Sequence, residues 1–380
     1  MKKERIAVAM SGGVDSSVAA TLLKDSGHEV IGLTMCFNLV DSQQKRPACC
    51  GLQGIEDARR VAHKLDIKHY VLNMQAALEK YVIKNFREEY LRGKTPNPCI
   101  RCNQYLKFDF LLKKALSLDA RFLATGHYAR IKKSAVGSQQ SAVYSLKKGR
   151  DKFKDQSYFL YRLNQYQLKH ALFPLGNYTK GAVRELARKF GLSVAEKNAS
   201  QEVCFLSGTD YREFLRHGLT RIFKTRINTD IKPGQIVDKK GAVLGEHQGI
   251  AFYTIGQREG LGIAMGYPAY ITEIDAKHNK ITIGKKEDVL KSDLLVKEPH
   301  FILNAPKKKI AVKVKIRYNH LEAFAQISPY ESNSRAKEPD KNKIRIHFET
   351  PQFAITPGQG AVFYDKDTVL GGGIIEKILE

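Results

Sequence analysis

Two cysteines three positions apart, Cys99 and Cys102, stand in Thr95-Pro96-Asn97-Pro98-Cys99-Ile100-Arg101-Cys102-Asn103, and another, Cys204, lies in Ser200-Gln201-Glu202-Val203-Cys204-Phe205-Leu206. A thiol can be a nucleophile, a metal ligand or, among apolar neighbours, simple packing. Pro96 and Pro98 stiffen the approach to Cys99, so the pattern predicts a rigid loop that presents both thiols rather than an element that buries them. Arg101 and Lys107 are near enough in sequence to favour the thiolate. Half of a zinc site is the alternative. It would need a second ligand pair, and the adjacent Cys49 and Cys50 are poorly spaced for one ion. Cys204 alone, in an apolar run, reads more readily as core than as catalyst.

A different chemistry is written in Ser11-Gly12-Gly13-Val14-Asp15-Ser16, which follows the apolar run Ile6 to Met10 and precedes a helical pattern from Ser17 to Lys24. Strand, glycine loop and helix in that order let backbone N–H groups and the helix dipole close on an anion. The expected ligand is a phosphate. No Gly-Lys-Ser/Thr follows the glycines, and the spacing is not Gly-x-Gly-x-x-Gly, so neither the Walker nor the dinucleotide loop is present.

These stretches need a scaffold, and the chain from Ile6 to about Thr125 predicts a parallel α/β sheet. Strand-like runs Ile6–Met10, Glu29–Met35, His69–Leu72 and Arg121–Thr125 alternate with helical stripes through Ile55, Ala58, Val61 and Leu65 and from Leu78 to Leu91. In such a sheet ligands sit at the carboxyl ends of the strands. After Gly126-His127-Tyr128 the runs Ala129–Lys132 and Ala142–Leu146 read as a hairpin, Val183 to Phe190 as a helix, and Tyr211–Leu215 as a short helix. Strands then dominate: Gln235–Val237, Gly249–Thr254, Ala269–Ile274 and Lys280–Ile283, followed by Ile310–Tyr318, Ala323–Ser328, Lys343–Phe348 and Gly360–Tyr364. The polar insert Tyr330–Asn342 reads as a mobile hairpin tip. Cys36, after a strand, reads as core.

Length and charge narrow the partners. With 380 residues, two or three domains are expected. Lys plus Arg number 63 against 39 Asp plus Glu, a net charge of +24 that favours a polyanion, nucleic acid first, over a merely soluble surface. Lys307 to Lys309 read as a solvated turn that would help hold an RNA backbone. No apolar run of about eighteen residues suggests a membrane helix. Met1–Arg5 lead into the first strand without a signal-type cleavage site, and six cysteines do not make a secreted disulfide framework; the expected location is the cytoplasm.

The Ser-Gly-Gly-x-Asp-Ser loop resembles that of the ATP pyrophosphatase families, which cleave ATP between its α and β phosphates and transfer AMP to an oxygen. Together with the Asn-Pro-Cys-x-x-Cys-Asn stretch, Lys154-Asp155-Gln156-Ser157-Tyr158-Phe159-Leu160, the Cys204 segment and Thr254-Ile255-Gly256-Gln257-Arg258-x-Gly260-Leu261-Gly262, it closely resembles the bacterial tRNA-specific 2-thiouridylase family. The resemblance runs from Ile6 to Gly371-Gly372-Gly373-Ile374-Ile375-Glu376. It implies a Rossmann-like ATP pyrophosphatase domain over 1–207, a small mainly-β central domain over 208–290 and a C-terminal β-barrel over 291–380. The implied reaction is sulfur transfer to carbon 2 of the wobble uridine, position 34, of tRNAs for Lys, Glu and Gln, driven by ATP with Mg.

By the same resemblance, Ala9, Met10, Ser11, Gly12, Gly13, Val14, Asp15, Ser16, Met35 and Gly126 bind ATP. Asn97, Pro98 and Cys99 approach the target base, and His127, Lys154, Asp155, Gln156, Arg317, Tyr318 and Gln359 contact tRNA. Cys204 carries a persulfide and Cys102 acts as nucleophile. The sulfur comes from a donor such as a cysteine desulfurase or a relay protein. A uridine carbonyl oxygen is a poor leaving group until adenylated, which explains an ATP loop and thiols in one chain. Many family members have Asp where this chain has Cys99. Cys99, Cys102 and Cys204 would therefore also suffice to hold a [4Fe-4S] cluster with one iron open. Two other readings compete: a ligase that adds nitrogen to an adenylate, which leaves Cys102 and Cys204 unused, and an RNA-binding protein with a vestigial loop, which the intact motif opposes.

Overall fold

A computed structural model describes residues 3–37, 39–40, 47–48, 52–136, 141–198, 203–206, 210–217, 231–331 and 340–379. Cys49 and Cys50, Ser200 to Glu202 and most of the polar insert lie outside the described residues. Two units make up the chain, one from residues 1–82, 99–208 and 367–370, the other from 83–98, 209–366 and 371–380.

The first unit is built on β1 (Arg5–Ala9), β2 (Glu29–Cys36), β3 (Lys68–Asn73) and β4 (Phe122–Ala124), joined by β7 (Ala171–Leu172) beyond a hairpin of β5 (Ala129–Val136) and β6 (Ser141–Lys148). The sheet order is β3-β2-β1-β4-β7, and every neighbouring pair is parallel. Helices α1 (Val14–Asp25), α2 (Leu52–Lys64) and α3 (Lys180–Lys189) carry the apolar stripes that cover it. Ile6, Val8, Val18, Ala19, Val61, Val183 and Ala187 share one core. Cys36 is buried at the end of β2. Because β2 flanks β1 on one side and β4 on the other, the chain leaving β1 and β4 opens a crevice at their carboxyl ends.

Two glycines make that crevice possible. Gly12 has φ +69°, and a Cβ there would lie 2.1 Å from the Gly54 carbonyl oxygen in α2. A Cβ on Gly126 would lie 2.8 Å from the Asp15 carbonyl carbon. Backbone packs directly on backbone at both points, so only hydrogen fits.

In the second unit a four-stranded sheet has the order β9-β8-β11-β10, formed by β8 (Gly234–Val237), β9 (Val243–His247), β10 (Tyr270–Asp275) and β11 (Lys280–Gly284). The strand expected over Gly249–Thr254 is instead a 3-10 turn, Ile250–Phe252. Ile250, Ala251, Phe252 and Tyr253 are all buried, and a run without alternation does not distinguish strand from turn. Beyond it β12 (Leu290–Phe301), β13 (Ile310–Lys315), β14 (Ala323–Tyr330), β15 (Asp340–Phe353), β16 (Gly360–Asp365) and β17 (Thr368–Ile378) follow the order β12-β15-β14-β13-β16-β17 and close through β12 and β17. Alternation sends Val312, Val314, Ala325, Ile327, Ile344, Ile346 and Phe348 inward and leaves the polar positions outside. The product is a six-stranded barrel. Among the described residues no helix is long and apolar enough to cross a membrane.

Candidate active site

The crevice holds a cleft of about 220 Å³. Of the residues expected at the nucleotide, Ala9, Met10, Ser11, Asp15, Ser16, Met35 and Gly126 line it. Gly12 and Gly13 form the loop backbone beside them, and Val14 turns into the core. Serines brace the loop: the Ser11 N–H donates to Ser16 Oγ at 3.2 Å, and Ser17 Oγ donates to the Gly13 carbonyl at 2.9 Å. That bracing leaves the start of α1 with its dipole directed to the cleft.

Asp15 is held from two sides, by the Tyr128 hydroxyl at 2.8 Å and by Lys180 Nζ at 2.5 Å. Burial first, then the Asp15 charge, push the Tyr128 hydroxyl far above its ordinary value, so it remains a donor. On the other side of the loop Lys197 Nζ donates to the Gly12 carbonyl at 3.1 Å and to Asp57 Oδ2 at 2.7 Å. Asp57 is buried and also accepts from Gln53 and Arg60. Burial opposes its ionisation, but the hydrogen bonds from Lys197, Arg60 and Gln53 win, and its carboxyl stays below the usual range. Lys197 thus ties the phosphate loop to the segment that leads toward Cys204.

The thiol pair lies in a helix, not in the rigid loop expected from the prolines. Helical structure begins at Pro98 (Pro98–Arg101), continues as a π-helix over Cys102–Leu111 and ends in Leu112–Leu116. Proline suits the first helical position, where its missing N–H costs nothing, so Pro98 starts the element that carries the cysteines. Only Thr95 to Asn97 remain an extended lead-in. The Thr95 N–H donates to the Pro357 carbonyl at 2.9 Å, and Gln359 Nε2 donates to the Thr95 carbonyl at 2.8 Å. In a π-helix hydrogen bonds run from each residue to the fifth beyond it, so Lys107 stacks one turn from Cys102. An α-helix would have turned it away.

Lys107 lines the same cleft and also interacts with Cys99, Cys102 and His127. Cys99 and Cys204 are reached by solvent and Cys102 is half-buried; all three carry reduced thiols. The expected thiolate is not what this environment favours. Surrounding protein pushes the Cys99 thiol up to about 11, with Cys204 adding to the shift and Lys107 opposing it. Burial likewise pushes Cys102 up to about 12 against the pull of Lys107. Burial outweighs the nearby cation, and Arg101 is turned to Tyr105 instead, its guanidinium 3.3 Å from the hydroxyl. Among the described residues, no three His, Cys, Asp or Glu side chains are gathered closely enough to hold a metal ion.

The family described as tRNA methyl transferase HUP domain matches residues 4–208, its PRC-barrel counterpart matches 222–285, and an aminomethyltransferase beta-barrel domain matches 291–375. A tRNA-specific 2-thiouridylase MnmA 2 of Caldanaerobacter subterraneus subsp. tengcongensis is 48% identical over 380 residues, with 99% of each chain covered. The chain belongs to the tRNA-specific 2-thiouridylase family. A 2-thiouridylase of Acetivibrio thermocellus is 47% identical over 99% of this chain and 100% of its own, and one of Clostridium perfringens is 44% identical with both chains fully covered.

Against the contacts that 2-thiouridylase resemblance implies for tRNA, the structure places the residues in distinct settings. Lys154 is exposed, and Gln156 lines the cleft while its Oε1 accepts from the Tyr128 N–H at 3.1 Å. His127 is buried, bonded to Thr125 Oγ1 at 2.6 Å, and burial with help from Lys107 holds its imidazole well below its usual value, hence neutral. Asp155 is buried and accepts from the Gly149 and Ser157 backbones at 2.9 and 3.1 Å. In the second unit Arg317 Nη1 donates to the Phe353 and Ala354 carbonyls at 3.4 and 3.2 Å, Lys315 lies over the Tyr318 ring, and Gln359 holds Thr95. Sequence reasoning missed Leu33 and Thr125 in the cleft wall and the cations Lys180 and Lys197. Lys180 sits 165 positions from Asp15 and Lys197 sits 185 positions from Gly12, with no motif around either lysine to mark the pairing.

Proposed function

We propose that this chain adenylates O2 of the wobble uridine of tRNAs for Lys, Glu and Gln and then replaces that oxygen with sulfur carried by Cys204. As a member of its family the chain is an ATP-dependent tRNA 2-thiouridylase. One observation carries the mechanism: Lys107 stands both in the wall of the nucleotide cleft and beside the thiol pair.

In the first half-reaction the uridine O2 attacks the α-phosphorus of ATP, the bond to the β-phosphate breaks, and pyrophosphate leaves with the electron pair. The Ser11–Ser16 backbone holds the phosphates. Asp15 is the carboxylate in the cleft that would take Mg²⁺, which screens phosphate charge when bound. Lys107, in the cleft wall, would neutralise phosphate charge as the adenylate forms. Next the terminal sulfur of a Cys204 persulfide attacks C2 and the C2–O bond breaks, releasing AMP. Cys102 then attacks the Cys204 sulfur. The S–S bond to the base breaks, 2-thiouridine leaves, and a Cys102–Cys204 disulfide remains for a dithiol reductant to reset. A cysteine desulfurase or sulfur-relay protein reloads Cys204, and the cytoplasm supplies these partners.

A persulfide suits this site because it is more acidic than a thiol and needs no help from its surroundings to ionise. A [4Fe-4S] cluster would call on Cys99, Cys102 and Cys204. Persulfide transfer needs no such cluster, and no step is routed through it. The residue ranges 1–207, 208–290 and 291–380 are taken as the catalytic, central and barrel domains of this reaction.

Adenylation before sulfur transfer has a direct consequence. Pyrophosphate release from ATP should require cognate tRNA, at one pyrophosphate per thiolated uridine. Measuring both products in the same reaction checks it; pyrophosphate release at equal rate without tRNA would refute the order of steps.

A further inference from the structure

On the outer face of the barrel, Lys309, Gln326, Ser328, Arg345 and His347 line a cavity of about 300 Å³. They meet there because of register: Gln326 pairs with His347 and Ser328 with Arg345 across β14 and β15, while Asp293 of β12 pairs with His347. Lys309 enters from the exposed turn before β13. Asp293 is only 2% exposed although it is on the outer face, because the Arg345 and His347 side chains cover it. Its Oδ1 accepts from Arg345 Nε at 2.8 Å and Nη2 at 2.7 Å, and its Oδ2 bonds His347 Nδ1 at 2.6 Å.

This buried carboxylate holds both side chains, engaging Arg345 through Nε and Nη2 and leaving Arg345 Nη1 as the guanidinium nitrogen not bound to it. A carboxylate behind a histidine or arginine orients its remaining donors in this way at many ligand sites. Lys309 adds a second cationic donor, and the Gln326 amide and Ser328 hydroxyl add neutral ones. Among the described residues no carboxylate lines the cavity. Two residues back along the same face of β14, Phe324 is 58% exposed with Lys313 Nζ 4.8 Å from its ring centroid. Oriented guanidinium, ammonium and amide donors beside an exposed aromatic ring are the chemistry of an RNA backbone contact.

We propose that this face of the barrel is a phosphodiester-binding site that grips the tRNA backbone. It rests on the tRNA reading above and gives a task to the Lys307–Lys309 run. Equilibrium binding of cognate tRNA across a salt series tests it, with wild type, Lys309→Gln and the double variant Lys309→Gln/Arg345→Gln. For every phosphate that a variant leaves unneutralised, the slope of log K against log salt should fall in magnitude by about one, and the double variant should bind at least about tenfold more weakly at low salt. Lys309→Gln carries the test if removal of Arg345 unsettles Asp293 and the barrel. Unchanged slope and affinity in folded variants overturn the site while leaving the tRNA reading intact. Inorganic phosphate that raises the melting temperature of wild type but not of the variants, with tRNA binding unchanged, makes this a free-anion site and also overturns the proposal. Wild-type protein that binds no tRNA would sink the underlying reading itself.

Discussion

Replacing Cys204 by Ser is expected to abolish thiolation, a loss of about 10³-fold or more, while cognate tRNA affinity stays within about twofold. A hydroxyl cannot carry a transferable sulfur, so no other residue compensates. The fold should not suffer: Cys204 is solvent-reached on the short turn Val203–Leu206, and the neighbouring buried Phe205 anchors that turn. Adenylation precedes the need for sulfur, so the variant should still release pyrophosphate in a first turnover. The contrast with Cys102→Ser is informative. There the sulfur reaches C2 but the Cys204 disulfide to the base persists, so tRNA should migrate with the protein on a denaturing gel and be released by reductant. Multiple-turnover thiolation by Cys204→Ser above about one-tenth of the wild-type rate would contradict the assignment.

Asp15→Ala should lower kcat/KM for ATP in tRNA-dependent pyrophosphate release by about 10²-fold or more. The carboxylate lines the cleft and is fixed by Tyr128 and Lys180. Its removal takes away the cleft's candidate Mg²⁺ ligand and frees Lys180, which lies only 17% exposed in the pair, to bind phosphate unproductively. A variant that binds ATP but does not cleave it is therefore the expected phenotype. Asp15→Asn retains an acceptor for the Tyr128 hydroxyl and should preserve the fold without restoring the rate. Pyrophosphate release by Asp15→Ala within about threefold of wild type would remove Asp15 from the chemistry.

What could be read in the sequence was local. Ser11 to Ser16 form a strand–loop–helix turn whose serines and glycines act on one another within a few positions, and that turn stands where the pattern put it. The central parallel strands β1, β2 and β4 were legible because each holds a nearly continuous apolar run, and the barrel strands because they alternate. Pairings between distant residues were not. Nothing near Lys197 announces that it will reach Gly12 and Asp57, and nothing near Asp293 announces that it will orient Arg345 and His347. The prolines before Cys99 misled for a physical reason: Pro98 does stiffen the chain, but as the first residue of a helix. The π register that brings Lys107 to Cys102 has no pattern in residue types. Lys107 could be named from its proximity to the thiols, yet the burial that raises their pKa above its influence required the packed structure.

The central claim is that one chain activates a uridine oxygen with ATP and exchanges it for sulfur. Nucleoside mass spectrometry of cognate tRNA after incubation with the protein, ATP with Mg, a persulfide donor and a dithiol reductant measures that exchange directly. The account predicts 2-thiouridine at the wobble position, dependent on ATP and on Cys204, with AMP and pyrophosphate formed in equal amount. Unmodified uridine under these conditions, with wild-type protein that binds both tRNA and ATP, would contradict it.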